Sequence, residues 1–392
     1  MGHTAVVVGA GIGGLAAAVG LQRIGWEVTV VDRSPVLADA GAGISLAANG
    51  IRALDVLGLG AAVRAAGRGQ YTGGTRTPSG TWLARMDGAV LERALGSPIV
   101  GIPRAELHRL LRAATRPGTL RTGLTAETAT TLAGGRARVD LGPGSEPLEA
   151  DLVVAADGIG SRIRTALFPG HPGPVHSGST VLRAITCRPV DLRTDFELTW
   201  GRGAEFGHIA FADGRAEWHA VLNAPAGVRH DDPLAVLRRR FADWHAPIPE
   251  LLAATRAEDV LHHDVGELAT PLPSFVSGRV ALLGDAAHAM TPNLGQGACQ
   301  ALEDAVVLAA ELDRRADVDT ALARYDAERR PRNTAVAAAA RRAGRMGQQL
   351  SHPLAVPLRN TLLRLAPSGA AVRAILRHAA WTPPLTRSFT GE

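Results

Sequence analysis

Lysine is missing altogether: every one of the 42 basic residues in this 392-residue chain is an arginine. The isoelectric point of about 10.3 therefore reflects a side chain that keeps its charge at high pH rather than a large excess of positive charge. With a net charge of only +5 and acidic residues interspersed, a nucleic-acid partner is not expected. The tightest basic cluster, Arg238-Arg239-Arg240, falls on an expected helix over 233–244 and reads as a solvated face. Cysteine is nearly absent too. Cys187 and Cys299 are too few for a disulfide scaffold or a cysteine-only metal site, so no metal is expected and a reducing cytoplasm fits best. No apolar run approaches the ~18 to 20 residues of a membrane span. The start, Met1-Gly2-His3-Thr4, has no positive n-region and implies no cleaved signal. At 46% hydrophobic residues, the chain can still bury a sizeable core in more than one layered unit.

What the chain does have is three strand ends that carry glycine or aspartate. Thr4–Val8 reads as a buried strand, Gly9-Ala-Gly11-Ile-Gly13-Gly14 follows, and a helix over 15–24 leads to a second strand, 27–31, ending in Asp32 and Arg33. This is a dinucleotide-binding βαβ fingerprint. Its glycines allow a tight turn, close approach to a pyrophosphate and close helix–strand packing, and its acid accepts from ribose hydroxyls. It does not choose between FAD and NAD. A second strand, 149–155, runs into Asp157-Gly158. A third, 280–283, delivers Gly284 and Asp285 at its carboxyl end, followed by Pro292, Gly295-Gln296-Gly297 and a helix from about Gly297. The free N–H groups and positive dipole end of that helix suit an electron-rich ligand.

Between these marks, a glycine-rich strand around Ser45 enters a helix over 49–57, and the 99–104 segment precedes a helix over 105–112, with Arg104 at its start. The 70–86 stretch has the texture of a hairpin making an excursion into another domain. From 175 to 223 the pattern becomes four alternating strands (180–187, 196–202, 206–212 and 217–222), which predicts an antiparallel sheet. Arg183, His208, Trp218 and His219 on this sheet are the candidates to meet a substrate, with Phe206, Ile209, Phe211 and Trp218 expected as walls of a mostly apolar pocket. Alternation sets Phe206 and His208 on one face and Gly207 and Ile209 on the other, and opposes Trp218 to His219. Helix is expected over 302–340 and 357–377.

These motifs, with AGAGISLAANGIRALDVLGLG at 40–60, GIPRAELHRLL at 101–111, GDAAHAMTPNLGQGACQALEDA at 284–305, RNTLLRLAP near Arg359 and WTPP from Trp381, resemble the class A flavoprotein aromatic hydroxylases, the p-hydroxybenzoate hydroxylase-like FAD-dependent monooxygenases, in their short salicylate- and urate-hydroxylase-like subgroup. The resemblance implies an α/β fold with a Rossmann-type FAD-binding domain (1–72, 99–172 and 274–340). It adds an inserted antiparallel-sheet substrate domain (73–98 and 173–273) roofing the flavin, and a C-terminal helical segment (341–392). It implies non-covalent FAD. Gly9, Gly11, Gly13 and Gly14 would hold the pyrophosphate, Asp32 the adenosine ribose and Asp285 the ribitol chain, with Arg33, Ser45, Arg104 and Leu124 as further cofactor contacts. Asp157 would serve both FAD and the nicotinamide donor. Pro292, Gly295, Gln296, Gly297 and Ala298 would lie beside the isoalloxazine ring.

The implied activity is hydroxylation or epoxidation of a small aromatic or unsaturated, mostly apolar substrate by NAD(P)H and O2 through a flavin 4a-hydroperoxide, in a monomer or homodimer. A halogenase of the same fold needs a relay lysine and a W-x-W-x-I-P segment, and both are missing. A reductase or oxidase, or a non-catalytic FAD-binding scaffold, remains the alternative. Tyr71 and Tyr325 are the only tyrosines and neither lies on the expected sheet, so the phenol-deprotonating tyrosine of some relatives is missing. No catalytic base is identified. His208 is a substitute because imidazole titrates near neutrality, and Arg183, His219, Trp218 and Pro292 are further candidates. Glu205 stands where the urate enzymes carry an arginine and would repel an anionic purine.

Overall fold

The structure, a computed structural model, describes residues 2–37, 42–367, 369–384 and 386–390. Ala40 and Gly41 of the glycine-rich strand lie outside the described residues, as do Ser368, Leu385 and the last two residues of the C-terminal segment. A six-stranded sheet runs in the order Val276–Ser277, Val280–Leu282, Leu152–Ala155, Thr4–Val8, Glu27–Asp32, Leu120–Thr122. All its pairs are parallel except the first. Its central strands are buried on both faces, which is why they read as short unbroken apolar runs.

Helices Ile12–Arg23 and Gly297–Arg314 pack side by side in the same direction. A Cβ on Gly13 would sit 3.2 Å from the Ala301 Cβ, and one on Gly20 would sit 3.2 Å from the Ala309 Cβ. Small residues let the two backbones approach, and the parallel run brings both N-termini, at Gly11 and Gln296, to one end of the sheet.

A seven-stranded sheet forms the roof, in the order Leu261–Glu267, Val175–Ile185, Ala216–Asn223, Ala204–Ala210, Phe196–Trp200, Thr72–Arg76, Trp82–Asp87. The 70–86 hairpin therefore joins the sheet expected from 175–223, through a parallel pairing of Phe196–Trp200 with Thr72–Arg76. Leu261–Glu267 is an edge strand that the sequence did not announce, its histidine-rich composition hiding it. The expected strand over 149–155 is two: Leu148–Ala150 pairs in a small antiparallel meander and only Leu152–Ala155 enters the main sheet. One broad face of the roof is covered by helices Pro233–Arg240 and Ile248–Ala253 around Leu182, Ala184, Phe206, Trp218 and Phe241. The other approaches the sheet of Gly43–Leu46 and Ile99–Pro103, where Ile209 reaches Gly101 and the Glu217 side chain reaches Gly43.

Candidate active site

Three strand ends meet at one point. Gly9 donates its N–H to Val31 O at 2.8 Å, and Ala156 and Leu283 donate to Val8 O and Ala155 O at 2.8 and 2.9 Å. Gly9 holds φ +103°, and a Cβ there would lie 2.4 Å from Ala156 O, so only glycine permits this junction. A Cβ on Gly14 would be 1.9 Å from Gly9 O, whereas one on Gly11 would meet nothing within 4 Å. The fingerprint thus divides its work: Gly9, Gly13 and Gly14 close the packing, and Gly11 leaves an open cradle at a helix N-terminus. Gly295 and Gly297 leave the same open space at the second helix start.

Asp32 is pinned at the end of its strand, accepting from the backbone N–H groups of Ala10 and Ser34, both at 2.8 Å. Leu124 donates its N–H to Asp32 O at 2.9 Å, which brings it to the same end, and Arg33 is exposed beside them. Asp157 turns one oxygen onto the N–H of Arg162 at 3.0 Å and leaves the other buried with no partner. Gly284, at φ +61°, throws Asp285 out of its strand. The Asp285 side chain is solvent-exposed although protein surrounds it on most sides, the signature of a residue on a cleft wall. Those surroundings raise its carboxyl above its ordinary range, partly offset by His288 and Arg104. Arg104 in turn is lowered by burial and by Arg183, and raised by Asp285, so Arg104, Arg183 and Asp285 share one neighbourhood. The Arg183 Nε is buried with no partner.

Beneath the Gly284 turn lies a buried charge network that sequence reasoning missed. Asp304 accepts from Gly284 N at 3.0 Å, His288 Nε2 at 2.6 Å and Arg329 Nε at 2.7 Å, while Glu303 takes Arg332 and the Asn49 amide. Glu303, Asp304 and Arg329 are wholly buried. The histidine and arginine partners outweigh desolvation and hold the Asp304 carboxyl well below its ordinary range. Charges this deep persist only when fully paired, and here they fix the turn that aims Asp285. Two adjacent acids inside an apolar helix were the available signal. Gln296 belongs to this network: its side chain is buried and accepts from Asn49 at 2.9 Å, so only its backbone faces the cradle. Ala298 is half-buried and Pro292 exposed, and Ser45 turns its hydroxyl toward Gln70 at 3.4 Å.

The roof candidates separate by face. His208 and Trp218 do not reach the cleft, which corrects their selection as substrate-facing groups. Trp218 is fully buried on the helix side, stacked 5.6 Å from Phe206, and its Nε1–H donates to Thr255 Oγ1 at 2.8 Å. His208 lies on that side as well, in contact with Thr194, and burial pulls its pKa down to about 4. The cleft side carries Arg183, paired in register with His219, and His219 paired with Gly207. His219 Nδ1 stands 3.3 Å from Glu217 and Nε2 3.9 Å from Glu205, whose other oxygen accepts from Trp200 Nε1 at 2.6 Å. Burial opposes a charge on His219, but the two carboxylates prevail and its pKa is raised. The expected apolar walls are correspondingly fewer: Phe206 leaves with Trp218, while Ile209 and Phe211 stay on the cleft side against Gly101 and Gly43.

A protein-family model described as an FAD binding domain matches residues 3–340. Aurachin C monooxygenase/isomerase of Stigmatella aurantiaca is 37% identical over 97% of this chain and 99% of its own length. The 2-heptyl-3-hydroxy-4(1H)-quinolone synthase of Pseudomonas aeruginosa is 33% identical over 94% of this chain and 96% of its own. Klebsiella pneumoniae HpxO, solved in complex with FAD and uric acid, superposes with a TM-score of 0.89 at 28% identity, covering 98% of both chains.

Proposed function

The chain belongs to the FAD binding domain family of flavoprotein monooxygenases, and from that premise we propose that it uses NAD(P)H and O2 to oxygenate a small aromatic or unsaturated substrate held between the Gly284–Asp285 turn and the Arg183–His219 face of the roof. It is an FAD-dependent monooxygenase, and the cleft fits the cofactor. The open cradle at Gly11 suits a pyrophosphate, Asp32 with Arg33 and Leu124 suits the adenosine end, and Asp285 with Arg104 suits the ribitol. Gly295 to Ala298 and Pro292 would border the ring, with Ser45 and Asp157 at the margins. Bound FAD supplies the redox and oxygen chemistry; the protein contributes placement, dryness and charge.

The observation that carries this reading is the convergence of Gly9, Asp157 and Asp285 strand ends with Arg104 on one cleft. Two parallel helix N-termini open there, favouring negative charge on pyrophosphate and on reduced flavin. Arg183, with an unpartnered Nε, would orient the substrate or its developing negative charge. His219, held between Glu217 and Glu205, would keep that face polar without leaving a free anion, and Glu205, where the urate enzymes carry an arginine, would offer no positive partner to an anionic purine such as urate.

The test is a panel of quinolones and phenols screened for faster NAD(P)H consumption, with 18O2 labelling of the product. One 18O atom per product is the expected result; NAD(P)H oxidation that yields only hydrogen peroxide with every compound would support an oxidase instead. Asp32→Ala and Asp285→Ala should each weaken FAD by roughly ten- to hundred-fold, the loss of a charge-assisted bond of ~1.5 to 3 kcal/mol. Fluorescence titration of apoprotein measures this, and wild-type affinity in either variant removes that residue from the site.

A further inference from the structure

Eight large hydrophobic side chains are exposed among the described residues, and five of them fall between 346 and 365: Met346 (56%), Leu354 (77%), Leu358 (61%), Leu362 (61%) and Leu365 (77%). The four leucines are spaced four, four and three apart on or next to helix Ala355–Arg364, so they share one face, with Pro357 and Thr361 exposed between them. This helix is held by its opposite face. Val356 is buried, and the buried Arg359 donates to the carbonyls of Met346 and Gly347 at 3.0 and 2.8 Å and lies over the Trp200 ring. The loop before it is tied to the roof through Gly203 N to Leu350 O at 3.3 Å and Asn223 Nδ2 to Gln349 O at 3.1 Å. The leucines are therefore presented outward by a fixed helix.

The chain segment that carries the stripe has one sign of charge, and the strand it packs on, Trp82–Asp87, adds the exposed Arg85 and one exposed acid, Asp87, which caps the next helix by accepting from Val90 N–H. Between Glu328 and Glu392 the sequence holds eleven arginines and no acidic residue. Arg342, Arg345, Arg364, Arg373 and Arg377 are exposed and make no ion pair with a described carboxylate. An apolar stripe on a helix within an arginine-rich segment free of acids is the composition of a helix that lies in a bilayer interface. No described helix is long and apolar enough to cross a membrane. We propose that helix Ala355–Arg364 docks this enzyme peripherally on an anionic lipid surface, leucines in the acyl boundary and arginines at the headgroups. A second copy of the chain is the less favoured occupant, because a two-fold contact sets the same patch on both subunits and would bring cations against cations. The inference rests on the C-terminal helices alone and is independent of the choice of substrate.

The experiment is co-sedimentation of the FAD-loaded enzyme with phosphatidylcholine vesicles and with vesicles containing phosphatidylglycerol, at low and high salt, for the wild type and a Leu358→Asp/Leu362→Asp variant. Binding should be confined to the anionic vesicles, weaken with salt, and fall about tenfold or more in the variant. The flavin spectrum and circular dichroism of the variant should match the wild type, since neither leucine touches the cleft. A milder Leu358→Gln/Leu362→Gln pair should fall in between and serves if the aspartates disturb folding. Failure to pellet with anionic vesicles at low salt overturns the proposal, as does pelleting that both variants leave unchanged. Sedimentation equilibrium showing a dimer that the variants dissociate, without vesicle binding, would assign the stripe to a second copy and equally overturn it.

Discussion

His208 and His219 stand on neighbouring strands of the roof, offset by one residue of register, and their surroundings drive them in opposite directions. His208 looks toward the helices, finds only Thr194 among the described residues at bonding distance, and is pulled down to about 4 by burial. His219 looks toward the cleft between two carboxylates and is raised despite burial. The helix side is an apolar core with polar groups that are neutral or paired, and the cleft side is a charged surface with Arg183, whose Nε finds no hydrogen-bond partner among the described residues. Burial alone does not mark a functional histidine; what stands within about 4 Å of it on the ligand side does.

Several substitutions probe this division, and the largest effect is expected on the helix side. Trp218→Ala should cost ~3 to 5 kcal/mol of stability, since it empties a packed aromatic site and removes the indole donor to Thr255 Oγ1, while the folded fraction keeps its flavin spectrum. Urea unfolding at fixed FAD measures it, and a loss below ~1 kcal/mol would mean that the helix side is loosely packed. Next comes pH. A folded pKa of about 4 against an ordinary 6.5 means that neutral His208 contributes stability present above pH ~6.5 and lost as pH falls toward 4, worth about 3 kcal/mol over that window. His208→Gln should flatten the acid limb of the stability profile, and an unchanged limb would assign acid sensitivity to other groups. On the cleft side, Arg183→Gln should lower turnover roughly ten- to hundred-fold, the value of one charged hydrogen bond, with unfolding midpoints close to wild type. The smallest effect belongs to Arg239→Gln on the exposed helical cluster, within ~0.5 kcal/mol and silent in turnover.

The chemistry-bearing half of the fold was readable because its physics is local. A buried parallel strand is an apolar run, and a strand end that must approach a phosphate or a second strand needs glycine, so Gly9, Asp157 and Asp285 stood out. The roof was readable as strands but not as faces. Period-two alternation separates His208 from Ile209 without saying which of them looks inward, because that depends on where the Pro233–Arg240 and Ile248–Ala253 helices pack. The Leu261–Glu267 strand escaped because its histidines and acids carry no alternation. The Glu303–Asp304 network escaped because its partners, Asn49 and Arg329, are distant in sequence and meet only through helix packing.

The most direct measurement is the yield of oxygenated product per NAD(P)H consumed, taken from pH 6 to 9 for Arg183→Gln and His208→Gln with the best substrate of the panel. Yield and turnover should fall in Arg183→Gln, while His208→Gln remains at the wild-type yield throughout. A normal yield in Arg183→Gln together with a pH-dependent loss in His208→Gln would contradict the assignment of the two faces and move the substrate site to the other side of the sheet.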